Sequence, residues 1–458
     1  MNNFKNKKIA ILGFGIEGES VANFLLKQNA KIVVFDEKEK KDLENKNLEE
    51  FEKRGIEFNF GKFTESFEGF DIIVRSPGVK FDSPQIQEAL KKGIIVTSLT
   101  KIFFGLCPAK IIGVTGTKGK GTTSSLIYEM LKEQGIDVYL GGNIGTPALD
   151  FLDKLTSDSW VVLELSSFQL QDLNKSPHIG VLLMTTSEHL DYHKDINEYI
   201  ESKRNMLRCQ KKSDFTIINR DYPASRESDI FTEGKVYQFS REDGVLEGVY
   251  VENNSIWLKM SGDLEKIIDV KDIILPGKHN LENVCASVIT SVLAGVSKQN
   301  IVKVLKSFKS LEHRLEFVAT VGGVKYFNDS FSTTPETAIA AIETFSDPEI
   351  LILGGSSKGS DFSDLGEIIS NTKNIKVIIG IGKEWPRIKA SFKIKNLKFK
   401  IFDGVTNMHE VVKEASKIAE LGDVVILSPA CASFDMFKDY KDRGNQFKKE
   451  VEKLKSSV

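Results

Sequence analysis

Residues 109–123 read AKIIGVTGTKGKGTT. The apolar run 111–114 predicts a short buried strand, and SSLIYEMLKEQG behind it (124–135) carries helical periodicity. Between the two, Gly116, Gly119 and Gly121 permit a curled backbone whose amides face phosphate, with Thr117 and Lys118 completing the curl. Lys120 supplies a point charge, and Thr122 offers a hydroxyl to Mg²⁺. The strict Walker pattern sets Ser or Thr directly after the lysine, whereas here Gly121 intervenes. A glycine-rich surface turn is the alternative reading. Strand before, helix after and lysine within count against it.

Outward from this loop, short β-branched runs alternate with longer amphipathic stretches, the pattern of parallel sheets with crossover helices. Upstream, KKIAILGF (7–14), KIVVFD (31–36), DIIVRSPG (71–78) and GIIVTS (93–98) predict one sheet. Downstream, WVVLELSS (160–167), IGVLLMT (179–185) and DFTIINR (214–220) continue a second. GVYVENNSIWLKM (248–260) breaks the pattern, and its Asn-Asn step predicts an antiparallel hairpin. A helix over 281–293 closes the region. VKYFND (324–329), EILILGG (349–355), KVIIGIG (376–382) and DVVILSP (423–429) predict a third sheet. The expectation is an α/β chain of three domains. Residues 1–106 form a Rossmann-like domain, 107–312 a central P-loop ATPase-like domain with a mostly parallel sheet, and 313–458 a C-terminal Rossmann-like domain.

A chain of 458 residues exceeds one ordinary hydrophobic core. Its 41% hydrophobic and 28% charged residues are the balance of a soluble globular protein, and a net charge of -2 gives no global pull toward nucleic acid or an anionic membrane. No run approaches the ~20 apolar residues of a membrane span. The apolar start is broken at once by Gly13 and Gly15, so it reads as a first strand and not a signal peptide. Cys107, Cys209, Cys285 and Cys431 are scattered with no C-x-x-C pair, as in reduced cytosolic thiols. A cytoplasmic monomer with small-molecule ligands and no nucleic-acid partner is expected.

Three further features bear on chemistry. GFGIEG sets Gly13, Gly15 and Gly18 in G-x-G-x-x-G spacing, and Asp36 ends the next strand where an acid grips an NAD ribose. Any tight strand-to-helix turn also favours glycine. Glu164 ends a strand, as does a carboxylate that holds Mg²⁺ beside nucleotide phosphates, or a simple helix-capping acid. His189 in TTSEHLDYH follows another strand end, where a solvated loop histidine is the ordinary reading.

TGTKGKGTT (115–123), GGNIGTP (141–147), ELSSFQL (164–170), SEHLDYH (187–193), GKHNLENVCAS (277–287), EHRLE (312–316), NDSFSTTPE (328–336), LGGSSKGSDF (353–362) and SPACASFDMFKDYKDRG (428–444) occur together and in order. This set resembles the signature of the Mur ligase family across all three regions. Folylpolyglutamate synthetases share a similar GKGT loop but lack a Rossmann-like domain before it. ELSSFQL, NDS and SPACAS resemble most the member that adds D-glutamate to UDP-N-acetylmuramoyl-L-alanine.

The resemblance implies ATP and two Mg²⁺ ions as cofactors. It implies that Lys120 contacts the β/γ-phosphates within an ATP loop of residues Gly116 to Thr122. Thr122, Glu164, His189 and Lys203 would serve the metals, with Lys203 carried as a carbamate. Asn280 and Asn283 would meet the adenine side, and Arg314 and Asp329 the nucleotide. Gly13, Gly15, Asp36, Ser76, Pro77, Gly78 and Asn143 would hold the UDP substrate. Thr333, Lys358, Ser433 and Tyr440 would hold the amino acid. In one place the chain departs from the family: Phe331 stands where a lysine is usual after NDS. A cation for the D-glutamate carboxylates is thereby lost, and Phe331→Lys is expected to lower the Michaelis constant for that amino acid. Two rivals remain from other classes. A nicotinamide oxidoreductase leaves the Lys120 loop unexplained, and a P-loop switch leaves the N-terminal region unexplained.

Overall fold

The computed structural model describes residues 3–43, 47–64, 66–186, 188–189, 192–392 and 398–455. Of the SEHLDYH motif, Ser187, Leu190 and Asp191 lie outside the described residues. The chain divides into two compact units, one of residues 1–270 and 282–304, the other of 271–281 and 305–458.

The first unit holds two sheets. Strands β1 (Lys8–Leu12), β2 (Lys31–Asp36), β3 (Glu57–Phe60), β4 (Ile72–Arg75) and β5 (Ile95–Thr97) pair in parallel in the order β3-β2-β1-β4-β5. The strand order reverses between β1 and β4, so the loops after these two strands meet in the crevice where such sheets bind ligands. The second sheet comprises β6 (Lys110–Thr115), β7 (Val138–Gly142), β8 (Trp160–Glu164), β9 (Ile179–Leu182), β10 (Phe215–Asn219), β11 (Lys235–Ser240), β12 (Gly248–Glu252), β13 (Ser255–Met260) and β14 (Asp263–Asp269). Its order is β14-β13-β12-β11-β10-β9-β6-β8-β7, with β6 at the reversal between β9 and β8. Strands β12 and β13 form the expected antiparallel hairpin. Asn253 and Asn254 turn it with φ of 49° and 55°, the left-handed pair that a two-residue hairpin loop requires.

The two sheets share one core. Buried Ile9, Ile11, Phe14 and Phe103 are continuous with Phe151, Val161, Leu163 and Leu182. The rings of Phe103 and Phe151 meet edge to face at 5.9 Å. Burial on this scale fixes the first sheet's ligand crevice against the second sheet.

In the second unit, β15 (Glu316–Val321), β16 (Val324–Asn328), β17 (Glu349–Gly354), β18 (Ile375–Ile381), β19 (Lys400–Phe402) and β20 (Val424–Leu427) lie in the order β15-β16-β20-β17-β18-β19. Only β15 runs antiparallel to its neighbour among these described strands. Apolar clusters cover both faces, one around Leu351, Leu353 and Ile378, the other around Ile350, Ile352 and Phe447.

Glu349, at the start of β17, is fully buried with one carboxylate oxygen accepting from Asn374 at 3.1 Å. Burial pushes its pKa up to about 8. The acid therefore stays protonated in the fold over a range where the unfolded chain has released the proton. The contribution of this group to stability is fully present below pH ~4.5 and declines by about 1.4 kcal/mol per pH unit until pH ~8. Glu349→Gln should flatten that decline and melt higher than the parent at pH 8. A melting temperature with the parent's pH slope would contradict this.

Candidate active site

The loop after β6 is closed by its own lysine. Lys120 Nζ donates to the carbonyls of Gly116 at 3.0 Å and Thr117 at 2.9 Å. The helix Lys120–Glu133 starts from Gly119, whose φ of +86° is left-handed. A side chain on Gly119 would also strike the Asn283 carboxamide, so glycine is required there twice over. Thr117 is tied down by its N–H to Met184 O at 2.7 Å, while its hydroxyl accepts from the Thr186 N–H at 3.0 Å and pairs with the Tyr199 hydroxyl at 3.0 Å. Lys118 is ion-paired with Glu188 at 2.7 Å. Gly121 and Thr122 are buried in the first helical turn. The next residue, Thr123, donates to Asn283 Oδ1 at 3.2 Å. The amino end of this helix and the curled amides before it form an anion-binding surface.

Other predicted residues gather around this loop. Glu164 is buried at the end of β8, in register with Val114 of β6 and Gly142 of β7. The Asn143 N–H donates to the Glu164 carbonyl at 3.0 Å. Lys203 lies on the helix Ile196–Arg204, whose N-terminus is capped by Asp195. It is 2% exposed, and its Nζ donates to Gly116 O at 3.0 Å, the same oxygen that Lys120 uses. Burial drives its pKa well below that of an ordinary lysine and the nearby Lys120 pushes it further, against the pull of Glu188 and Glu164. His189 is exposed in a left-handed conformation (φ 58°), with Nε2 3.6 Å from Glu188 and its ring 4.9 Å from Phe168.

Two residues here had not been singled out from the sequence. Glu188 is opposed by burial, but Lys118, Lys120 and His189 outweigh it and hold its pKa low, so it brings a second carboxylate to the loop. His193 is buried, bonded through Nε2 to Ser167 at 2.9 Å and stacked on Phe168. Its place in the SEHLDYH motif was its one signal. Among the described residues, no three His, Cys, Asp or Glu side chains converge to hold a metal by themselves. Mg²⁺ fits such a site, since it is commonly held by one or two carboxylates together with substrate phosphates.

The crevice of the first sheet is built on backbone bonds. The Asp36 carboxylate accepts from the N–H groups of Phe14 at 2.6 Å and Lys38 at 2.9 Å, which shapes the turn. Gly13 turns at φ +85°, and Ser76 donates to its carbonyl at 3.0 Å. Gly18 packs against that same carbonyl, where a Cβ has no room. Gly15 differs: a Cβ there would meet nothing within 4 Å, so this side of the turn is open to a ligand. Pro77 and Gly78 follow Ser76 in a turn closed by Val79 N–H to Ser76 O at 3.0 Å.

Arg75, just before that turn, is 1% exposed and went unnoticed in the sequence. It pairs with Asp172 at 2.8 Å and donates to Val79 O at 2.8 Å, Phe168 O at 3.2 Å and the Tyr192 hydroxyl at 3.3 Å. Lys101 completes the cluster on Asp172 at 3.0 Å. One guanidinium thus ties the loop after β4 to the segments that carry Glu164 and His189.

In the second unit, three loops at the carboxyl ends of adjacent strands are pinned together. Arg443 is fully buried and donates to Ser330 O at 2.8 Å, Cys431 O at 3.1 Å and Ala432 O at 3.2 Å. Burial pushes its pKa down to about 10. Ser356 N–H donates to Ala432 O at 2.8 Å, which brings in the third loop. Lys358 Nζ meets Thr333 Oγ1 at 3.1 Å, so two predicted amino-acid ligands stand together. Ser433 is buried, its carbonyl accepting from Phe437 N–H at 2.9 Å. Asp329 accepts from Leu315 N–H at 3.0 Å and Ser428 Oγ at 2.8 Å, and burial pushes its pKa up to about 7. Arg314 lies over the Phe331 ring, 3.9 Å from its centroid, and Tyr440 meets that ring edge-on at 5.0 Å. Asn280 is buried and donates to Pro276 O at 2.5 Å.

Residues 7–98 match the family model for a Mur ligase MurD-like N-terminal domain, 114–291 that for a Mur ligase middle domain, and 313–431 that for a Mur ligase glutamate ligase domain. The chain is 38% identical to the UDP-N-acetylmuramoylalanine--D-glutamate ligase of Acetivibrio thermocellus, over 99% of this chain and 97% of that one. To the protein of that name from Clostridium acetobutylicum it is 40% identical, over 98% and 97%. Among solved structures, a pseudomurein peptide ligase type C from Methanothermus fervidus superposes with a TM-score of 0.58 at 16% identity, covering 99% of this chain and 100% of that one. MurF from Acinetobacter baumannii superposes with a TM-score of 0.61 at 15% identity, covering 97% and 93%. Likeness at that level of identity speaks for the fold alone.

Proposed function

The chain belongs to the Mur ligase family, and from that footing we propose that residues 1–106 bind the UDP-linked acceptor, 107–312 bind ATP and 313–458 bind the incoming amino acid. The protein is an ATP-dependent ligase that adds D-glutamate to UDP-N-acetylmuramoyl-L-alanine in peptidoglycan synthesis. Asp36 accepts from the backbone at Phe14 and Lys38 and so shapes the turn, and the family match, not an NAD fingerprint, accounts for the glycines before it. No helix among the described residues is long and apolar enough to cross a membrane; it is the kinship with the D-glutamate ligases that supports a cytoplasmic reaction.

The observation that supports the division of labour best is the meeting of Lys120 and Lys203 on one carbonyl, that of Gly116, with Glu164 and Glu188 near enough to act on Lys203. The acceptor carboxylate attacks the γ-phosphorus of ATP, the bond to ADP breaks, and an acyl phosphate forms. The amine of D-glutamate then attacks the acyl carbon and inorganic phosphate leaves. Lys120 turns from its own loop carbonyls toward the β/γ-phosphates and offsets the charge of two reacting anions. Gly116 to Thr122 cradle the phosphates with backbone amides, Asn280 and Asn283 meet the adenine side, and Arg314 and Asp329 serve the nucleotide. Thr122, Glu164, His189 and a carbamate on Lys203 hold Mg²⁺, which when bound neutralises phosphate charge. Gly13, Gly15, Asp36, Ser76, Pro77, Gly78 and Asn143 hold the UDP acceptor, Asp36 through the turn it shapes. Lys358, Thr333, Ser433 and Tyr440 take the amino acid.

Phosphate release tests the assignment. It should require ATP, the UDP-linked acceptor and an amino acid together. Among D-glutamate, L-glutamate, D-lysine and D-alanine, D-glutamate should be preferred by about tenfold or more, because an analogue that leaves Lys358 without its carboxylate forfeits a charged pair. Preference for any of the other three would overturn the amino-acid assignment and leave the ligase class standing.

A further inference from the structure

We propose that Phe331 is a positioning residue for Arg314, its ring restricting the guanidinium that serves the nucleotide. The proposal rests on the reading of Arg314 as a nucleotide contact and adds what orients it.

The backbone around Arg314 is fixed in an uncommon form. His313 and Leu315, on either side, have φ of 64° and 46°, left-handed values that non-glycine residues keep only where their surroundings enforce them. Those surroundings come from the strand end carrying Phe331. His313 O accepts from the Phe331 N–H at 3.0 Å, and the Leu315 N–H donates to Asp329 Oδ1 at 3.0 Å. The His313 ring meets Asn328 Nδ2 at 2.9 Å and packs edge-on against Tyr440. These contacts settle where the Arg314 side chain starts, but not where its long chain ends.

The Phe331 ring bears on the second point, alongside the attraction between Arg314 and Asp329. The guanidinium carbon sits 3.9 Å from the ring centroid, well within cation–π range. The ring is in turn held by Tyr440, edge-on at 5.0 Å and 87°. At 37% exposure it is no core residue, so its substitution should leave the fold intact. A guanidinium held against a ring loses less freedom on meeting a ligand than one that is not so held. A lysine at position 331 would instead set an ammonium against the guanidinium. The benefit for D-glutamate expected from the sequence is then accompanied by a loss for ATP.

The test compares Phe331→Ala, Phe331→Trp, Phe331→Lys and Arg314→Ala in steady-state kinetics, with direct titration by a non-hydrolysable ATP analogue. Phe331→Ala should raise the Michaelis constant for ATP about three- to fivefold. Its constant for D-glutamate should stay within about twofold of the parent, by contrast with a contact made to the amino acid, where a lost anchor costs more. Phe331→Trp should restore the ATP constant, and Phe331→Lys should raise it beyond alanine. An ATP constant unchanged in Phe331→Ala while Arg314→Ala is impaired overturns the proposal alone. A rise confined to D-glutamate overturns it as well, by making Phe331 part of the amino-acid pocket. Normal ATP binding in Arg314→Ala would overturn the nucleotide reading of that arginine and this proposal with it.

Discussion

Lys120→Ala is expected to reduce ligation by about a hundredfold or more, the usual scale when a charge aimed at a transition state is removed. Lys120 Nζ donates to Gly116 O and Thr117 O, both carbonyls of its own loop. Alanine leaves those oxygens at the rim of an anion-binding curl with no cation to balance them. The transferring phosphoryl group then meets partial negative charge where it needs positive. Binding of the UDP-linked acceptor should persist, because the crevice between β1 and β4 is organised by Asp36 on Phe14, Ser76 on Gly13 and Arg75 on Val79. The two readouts separate a chemical role from a folding defect. Near-normal phosphate release by the variant would sink the phosphate-loop assignment.

The parts of this fold that were legible in the sequence are those whose residues report their own environment. Strands β1, β2, β4, β6, β8, β9 and β10 are buried on both faces and read as continuous apolar runs. Strands β3, β7, β11, β14, β15 and β19 escaped; all but β11 are edges of their sheets, and β11 mixes exposed, half-buried and buried positions. EFNF of β3 alternates exposed and half-buried positions, so no run announces it. The same distinction divides the candidate site. The glycines and lysine of the phosphate loop stand together in the chain and were found by spacing. Arg75 and Arg443 were missed because each draws its meaning from partners remote in sequence, Asp172 for one and Ser330 for the other. Phe331 was noticed as a departure from a pattern, but only the geometry shows what it touches.

Lys203 is expected to act as a carbamate, and the structure gives that expectation a charge argument. Its amine is buried, bonded to Gly116 O, and shares that acceptor with Lys120, so two ammonium groups there would repel across a shielded space. Burial and Lys120 together depress its pKa, which favours the neutral amine over the ammonium. A neutral amine is the form that adds to CO2. The new N–C bond forms as one C=O π bond of CO2 opens, the proton released from nitrogen passes to solvent, and the neutral amine becomes an anion that suits Lys120 and a hard metal ion alike. Lys203→Ala should therefore lose about a hundredfold or more in rate, comparable to removing any metal-orienting anion. Added formate or acetate should restore part of it by filling the vacated space with a carboxylate. Lys203→Arg should stay inactive under the same rescue, since a guanidinium neither loses its proton nor takes up CO2. Stripping CO2 from the parent should lower turnover and bicarbonate should return it, with ¹³C-labelled bicarbonate giving a carbamate resonance absent from Lys203→Ala. The competing reading is that the amine does no more than brace the Gly116 carbonyl. In that case Lys203→Ala is impaired but deaf to carboxylates, no carbamate carbon is seen, and an active Lys203→Arg shows that a permanent cation serves as well.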